Sequence, residues 1–211
     1  MILVFDLDGT LVDSAPDIRA AVNRMLAGEG MDPLDLAAII GFVGNGMPKL
    51  VERVMAARGL DPARHDELTQ VTLDHYAAAS SALTRPYPGV PQALETLAAA
   101  GHRLALCTNK PEAPARAILS DLSLARHFPV VVGGDSLPVR KPDPAPALAC
   151  VRALGGGAAA FVGDSEVDAE TAAAAGLPFY LFTGGYRKAP VEALRHRASF
   201  SDFADLPDLI A

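Results

Sequence analysis

Short, unbroken apolar runs punctuate this chain at residues 2–5, 104–107, 130–132, 159–162 and 179–182, each followed at once by polar or turn-forming residues. Runs of that length without polar alternation predict strands buried on both faces, as in a parallel sheet covered by helices on its two sides. Between the first two runs, residues 16–82 read as helix after helix, broken at 28–33, 41–46 and 59–62, where Gly and Pro stand. From Gly89 onward helix and strand alternate in the manner of βαβ units. Pro16, Pro62, Pro111 and Pro144 sit where first helical turns begin, and Asp61 and Asp143 are placed as N-caps. The pattern predicts an α/β fold: a Rossmann-like parallel-sheet core with an α-helical domain inserted after the first strand. The predicted division is core at 1–14, helical insertion at 15–82 and core again at 83–211.

Composition narrows what such a fold can do. The chain has 211 residues, half of them apolar, enough to bury a core without disulfides or a structural metal. Lys and Arg number 18 against 25 Asp and Glu, for a net charge of −7. That balance argues against nucleic-acid binding, which needs a basic face to neutralise phosphates. It leaves a small anionic substrate open, because a few local cations or a metal can invert the field of one cleft. Mean hydropathy is high at +0.23, yet no apolar run approaches the roughly 18 residues that span a bilayer, so no membrane partner is expected. The first residues read as a strand running into charges rather than as a secretory leader. Cys107 and Cys150, the two cysteines, lie among apolar residues and suggest no disulfide framework. A soluble, cytoplasmic protein is expected. The pattern leaves both monomer and homodimer open.

Ligands of open parallel sheets bind outside the carboxyl ends of the strands, and here those ends carry one kind of chemistry. The first run enters Asp6-Leu7-Asp8-Gly9-Thr10, and the second enters Thr108-Asn109-Lys110. Arg140-Lys141-Pro142-Asp143 follows the third, and Gly163-Asp164-Ser165-Glu166-Val167-Asp168 the fourth. Side chains alternate in extended backbone, so Asp6 and Asp8 can share a pocket while Leu7 turns to the core. Asp164 and Asp168, four apart at a helix start, can approach the same place. Four carboxylates against one lysine leave a negative excess that cannot stay ionised unaided. A divalent cation is the natural remedy, and all-oxygen ligation points to Mg²⁺. A carboxylate beside Mg²⁺, a Lys, a Thr hydroxyl and backbone N–H groups suits phosphoryl transfer, with one Asp as nucleophile and a second as proton donor and acceptor.

Asp6–Thr10 (DLDGT), Thr108 after a strand, Lys141 before a helix and GDSEVD at 163–168 resemble, in order and spacing, the four motifs of the haloacid dehalogenase superfamily. The helical insertion resembles that superfamily's mobile cap. The finer features FDLDGTLVDSAPDI, GNGMPKLVERV, PYPGV, CTNKP, KPDPAPAL, VGDSEVDAETAAAAG and LFTGGYR are similar to its branch that hydrolyses 2-phosphoglycolate. The resemblance implies Asp6 as nucleophile and Asp8 as general acid and base. It implies Mg²⁺ held by Asp6, the main-chain carbonyl of Asp8, and Asp164. Thr108 and the Asn109 backbone would take phosphate oxygens, Lys141 would stabilise their charge, and Asp168 would orient Lys141 or a metal-bound water.

Other segments carry a plain reading beside a functional one. Gly44-Asn45-Gly46 is either an interhelical turn or, with Lys49, the place where a closing cap meets the substrate carboxylate. Residues 13–16 and 82–86 are the expected hinges. The five histidines lack metal-ligand spacing, residues 155–157 read as a helix-to-strand loop, and Arg195-His196-Arg197 reads as a solvated helix end. The resemblance makes the expected activity a Mg²⁺-dependent phosphatase that hydrolyses 2-phosphoglycolate, a small anionic phosphate ester, to glycolate and phosphate through an aspartyl phosphate. The alternatives are a phosphatase or phosphomutase for another ester (a sugar phosphate or a nucleotide monophosphate), and, from a different class, a receiver-type signalling domain that accumulates phospho-aspartate.

Overall fold

The computed structural model describes residues 1–78 and 81–210. Residues 79, 80 and 211, which fall in the expected spans of insertion and core, lie outside the described residues. The chain divides into two compact units, one made of Met1–Asp13 with Arg85–Ala211 and the other of Ser14–Thr84.

In chain order the elements are strand β1 (Ile2–Phe5), strand β2 (Val12–Asp13), and helices α1 (Ala15–Gly28), α2 (Leu36–Phe42), α3 (Met47–Arg58) and α4 (His65–Ala77). Strand β3 (Arg85–Pro86), helix α5 (Val90–Ala99), β4 (Arg103–Cys107), α6 (Glu112–Asp121) and β5 (Val130–Val132) follow. The chain then runs through α7 (Ala145–Ala153), β6 (Ala159–Gly163), α8 (Glu166–Ala175), β7 (Phe179–Phe182), β8 (Ala198–Phe200) and α9 (Leu206–Ile210).

Six strands form one parallel sheet in the order β5-β4-β1-β6-β7-β8. The five apolar runs read from the sequence are all in it. Alternation within β1 sends Leu3 and Phe5 to one face, against Leu94 and Leu97 of α5, Ile118 of α6 and Ile210 of α9. Ile2 and Val4 go to the other, against Ala147 and Cys150 of α7 and Ala169 and Ala172 of α8. Both faces are therefore dry, which is why these strands contain no polar alternation. Cys107 and Cys150 are buried and unbridged. β1 lies between β4 and β6, so the chain leaves it first to one side and later to the other. Its carboxyl end is the topological switch point of the sheet.

Two local expectations are corrected. Arg195-His196-Arg197 is not a helix end: a single 3₁₀ turn at Val191–Ala193 precedes it, and the segment is an irregular lead-in, bent at Arg197, to β8. Backbone pairing with β7 at Tyr180, Leu181 and Phe182 captures this short strand, whose one buried side chain, Phe200, leaves little pattern to read. Pro111 and Pro144 stand at N-cap positions, one residue before α6 and α7; Asp143 still caps, accepting from the Ala145 N–H at 2.8 Å. The antiparallel pairing of β2 with β3, at the point where the chain leaves and re-enters the core, has too few residues for any periodicity.

The unit Ser14–Thr84 buries Val22, Met25, Leu26, Ile39, Leu50, Val54 and Leu68 among α1 to α4. Its two ends are tied by Asp17, which is buried in the first turn of α1. Its carboxylate accepts from the Leu83 and Thr84 N–H groups and from the Thr84 hydroxyl, the last at 2.7 Å. No helix among the described residues is long and apolar enough to cross a membrane.

Candidate active site

The turn after β1 is set by its hydrogen bonds. The Leu7 carbonyl accepts from the N–H groups of Thr10, Leu11 and Val12, while Gly9 N–H donates to Val12. Leu7 is fully buried, so its two aspartate neighbours face the other way. Gly9 has φ +86°, and a Cβ there would stand 2.5 Å from Asp164 Oδ2, so only glycine fits. The same turn presents Thr10, whose hydroxyl donates to Asp164 Oδ1 at 2.7 Å. The Tyr186 N–H donates to Asp164 Oδ2 at 2.6 Å. Asp164, at the end of β6, is thus held from β1 and from the segment after β7.

Lys141 joins these strand ends. Its Nζ lies 2.7 Å from Asp168 Oδ1 and 2.9 Å from Asp6 Oδ1, with the side chain only 2 % exposed. Its carbonyl accepts from the Asn109 side chain at 3.1 Å, and its ammonium stands 5.5 Å from the centre of the Phe161 ring. Asp168 is a fully committed carboxylate: Oδ1 takes Lys141, and Oδ2 accepts from Asp164 N–H, Ser165 N–H and the Ser165 hydroxyl. It closes a capping box with Ser165 at the start of α8. Asp168 therefore positions Lys141.

Oxygen atoms of Asp6, Asp164 and Asp168 lie within 4.8 Å of one another. Burial pushes the Asp6 carboxyl up to about 7, with Lys141 opposing the rise and Asp168 and Asp8 adding to it. Burial, then the neighbouring Asp168 and Asp6, raises Asp164 well above the carboxylate range. Burial works against the Lys141 charge, but Asp168 and Asp6 outweigh it and raise its pKa. Asp6 Oδ1 is buried and accepts no aligned hydrogen bond, despite its short approach to Lys141. A buried carboxylate oxygen without an aligned hydrogen bond, beside a second carboxylate that burial disfavours as an anion, fits a hard divalent cation. Asp6, Asp164 and Asp168 are the side chains that suit Mg²⁺, with Asp168 the most heavily engaged by hydrogen bonds.

Asp8 has a partner that the sequence reading passed over: Lys110 Nζ stands 2.8 Å from its Oδ2. The signal was present, since Lys110 directly continues the Thr108-Asn109 strand end, but a lysine in a loop has no face until the fold assigns one. Thr108 is buried and its Oγ1 accepts from Lys110 N–H at 3.2 Å. Thr10 was legible inside the DLDGT turn. Tyr186 was legible only as part of LFTGGYR; its pairing with a carboxylate 22 residues earlier was not.

The remaining predicted residues belong to the other unit, with Gly44 and Asn45 in the turn between α2 and α3. Gly44 and Gly46 have positive φ, and Gly46 caps α3. Asn45 Oδ1 accepts from Arg53 Nη2 at 2.9 Å, and Arg53 Nη1 donates to the Phe42 carbonyl at 2.7 Å, so Arg53 clasps the turn. Lys49 pairs with Glu52 at 2.6 Å on the surface of α3.

A parallel sheet whose switch point gathers Asp6, Asp164, Asp168 and Lys141 defines a class, and the comparison with known families agrees. The family described as haloacid dehalogenase-like hydrolase matches residues 1–176, and the chain belongs to it. Among curated proteins, phosphoglycolate phosphatase from a Cereibacter sphaeroides strain is 57 % identical over 210 residues, spanning 99 % of this chain and 96 % of the relative. The phosphoglycolate phosphatase of Rhodobacter capsulatus is 44 % identical, spanning 99 % and 95 %. The crystal structure of a predicted phosphoglycolate phosphatase from Haemophilus somnus superposes with a TM-score of 0.92 at 31 % identity, covering 100 % of this chain and 97 % of that one. The protein is a phosphatase of the haloacid dehalogenase type, acting on a small phosphate ester.

Proposed function

We propose that this chain hydrolyses 2-phosphoglycolate to glycolate and phosphate through a phosphoryl group carried on Asp6, with Mg²⁺ as its resident cofactor. The observation that carries the chemistry is the Asp6 carboxylate oxygen, buried at the switch point beside Lys141 and lacking an aligned hydrogen bond. The choice of substrate rests on relatives of that name at up to 57 % identity.

An Asp6 oxygen attacks phosphorus in line, and the bond from phosphorus to the glycolate oxygen breaks. Asp8 gives that oxygen its proton. In the second half, Asp8 takes a proton from water, the water oxygen attacks phosphorus, and the Asp6 carboxylate is released with phosphate. Lys141, held by Asp168, and Thr108 with the Asn109 N–H stabilise charge on the transferring oxygens. Lys110 fixes the carboxyl of Asp8 from the side. Asp6, Asp164 and the Asp8 carbonyl would hold Mg²⁺, which supplies charge neutralisation and orientation of the phosphoryl group. The unit Ser14–Thr84 serves as a mobile cap hinged near 13–16 and 82–86, and the substrate carboxylate is assigned to Gly44, Asn45 and Lys49. Two buried free thiols suit a reducing cytoplasm.

Phosphate release from a panel of esters, with and without Mg²⁺ and with Asp6→Asn as the blank, tests this reading. The panel holds 2-phosphoglycolate, sugar phosphates, a nucleotide monophosphate and an aryl phosphate. The expected result is Mg²⁺-dependent turnover with 2-phosphoglycolate at least about tenfold ahead in kcat/KM, equivalent to ~1.4 kcal/mol of transition-state discrimination. A flat panel overturns the substrate, and a long-lived phospho-Asp6 without turnover overturns the hydrolytic second half.

A further inference from the structure

A cavity of about 470 Å³ opens between the end of α8 and the lead-in to β8, lined by Ala173, Leu177, Pro178 and by Arg195, His196 and Arg197, with the start of β7 as a further wall. Its size falls within the range of small-molecule sites. All strands of the sheet are parallel, so this cavity sits at the amino ends of β7 and β8. Asp6, Thr108 and Asp164 follow carboxyl ends. The cavity is thus separated from the catalytic charges by the length of a strand, about 13 Å for four residues.

Its charge is unusual for this molecule. In a chain of net charge −7, two exposed arginines stand two residues apart in an irregular segment that bends at Arg197. Beyond the Arg197 N–H, which donates to Phe179, neither makes a hydrogen bond or ion pair among the described residues. His196 between them uses Nδ1 on the Leu194 carbonyl at 2.6 Å, leaving Nε2 for a ligand or water. Both arginines line the same cavity, and two guanidinium forks there can grip the phosphates of one ligand bidentately. The opposite wall, from Ala173, Leu177 and Pro178, is apolar and suits a planar ring.

We propose that this cavity is a binding site for a nucleoside diphosphate or an organic anion of the same build. Its phosphates rest on Arg195 and Arg197, and its ring rests on Ala173, Leu177 and Pro178. α8 carries Asp168, the partner of Lys141, in its first turn and Ala173, which lines this cavity, in its last, so a ligand here contacts the helix that positions Lys141.

Titration calorimetry of the full chain with ADP tests the assignment. One ADP per chain is expected, with affinity falling at least about tenfold in Arg195→Gln/Arg197→Gln, ~1.4 kcal/mol. Ala173→Phe, which fills the cavity and keeps both charges, should also abolish binding. Both variants should retain the phosphatase rate. ADP should slow hydrogen exchange at the Gly176 and Leu177 amides, which close the end of α8 on Ala173 and Ala172. Absence of heat with ADP, or equal binding by the arginine variant, overturns the site. Pyrophosphate binding as tightly as ADP overturns the role of the apolar wall. A lower melting temperature in the arginine variant with unchanged ADP affinity would assign the arginines to the dipole of α8 alone.

Discussion

Lys141 and Lys49 meet carboxylates at nearly the same distance, 2.7 Å to Asp168 and 2.6 Å to Glu52, yet the two pairs sit in opposite media. The first pair is 2 % and 0 % exposed at the centre of the core unit; the second is 44 % and 55 % exposed on a helix of the other unit. In water the attraction is screened and the ordering of two long side chains offsets it. Inside the sheet edge the same charges interact strongly, and each must have its partner because neither can be solvated. The core unit concentrates buried charge at one sheet edge, where it can act on a phosphate. Among the described residues, the Ser14–Thr84 unit keeps its ion pairs on the surface or partly exposed. Its one buried carboxylate, Asp17, is matched by neutral donors and only joins the two ends of the unit.

Five substitutions test the contrast between the two environments. Asp6→Asn should reduce turnover to background, at least about 10³-fold, because the nucleophile is gone. The melting temperature should not fall, since the lost carboxylate was disfavoured by burial. Residual phosphate release above a few per cent of wild type contradicts the assignment. Asp8→Asn should cost about 10²–10⁴-fold on an alkyl phosphate, and clearly less on an aryl phosphate whose leaving group needs no proton. Equal losses on the two esters argue against an acid role.

Lys141→Met should cost about 3–5 kcal/mol in urea denaturation, because Asp168 and Asp6 then lack their buried cation. A loss below 1 kcal/mol would mean that the strand-end charges are wetter than their burial says. Asp17→Ala should cost about 2–3 kcal/mol by leaving buried donors on Leu83 and Thr84 without an acceptor, with the phosphatase rate per folded molecule little changed. Lys49→Ala comes last: its denaturation midpoint should match wild type, as expected for an exposed pair. Its KM for 2-phosphoglycolate should rise several-fold with kcat retained. An unchanged KM removes Lys49 from the substrate site.

The core strands were legible because a parallel sheet buries both faces, and unbroken apolar runs such as those of β1 and β7 have few other uses. Asp6, Asp8, Thr108 and Asp164 were legible for a related reason, as polar residues standing immediately after such runs. β8 escaped, since three residues with a single buried side chain make no period. Arg53, clasping the turn at Asn45, and Lys110, facing Asp8, escaped because any surface helix or loop carries such residues. Only the arrival of a distant segment gives them a partner.

The sequence by itself determined the order of buried strands, the helical insertion between the first and second of them, and the inventory of carboxylates, lysine and hydroxyl at their ends. These are properties of neighbours along the chain: apolar period, turn chemistry and motif spacing. Only the tertiary structure decided which of those charges pair. Asp168 gives both oxygens to Lys141 and the start of its own helix, while Asp6 keeps a buried oxygen without an aligned donor. Coulombic attraction, desolvation and hydrogen-bond angle depend on separations in space, and the residues that set them stand far apart in the chain, Thr10 and Asp164 by 154 positions.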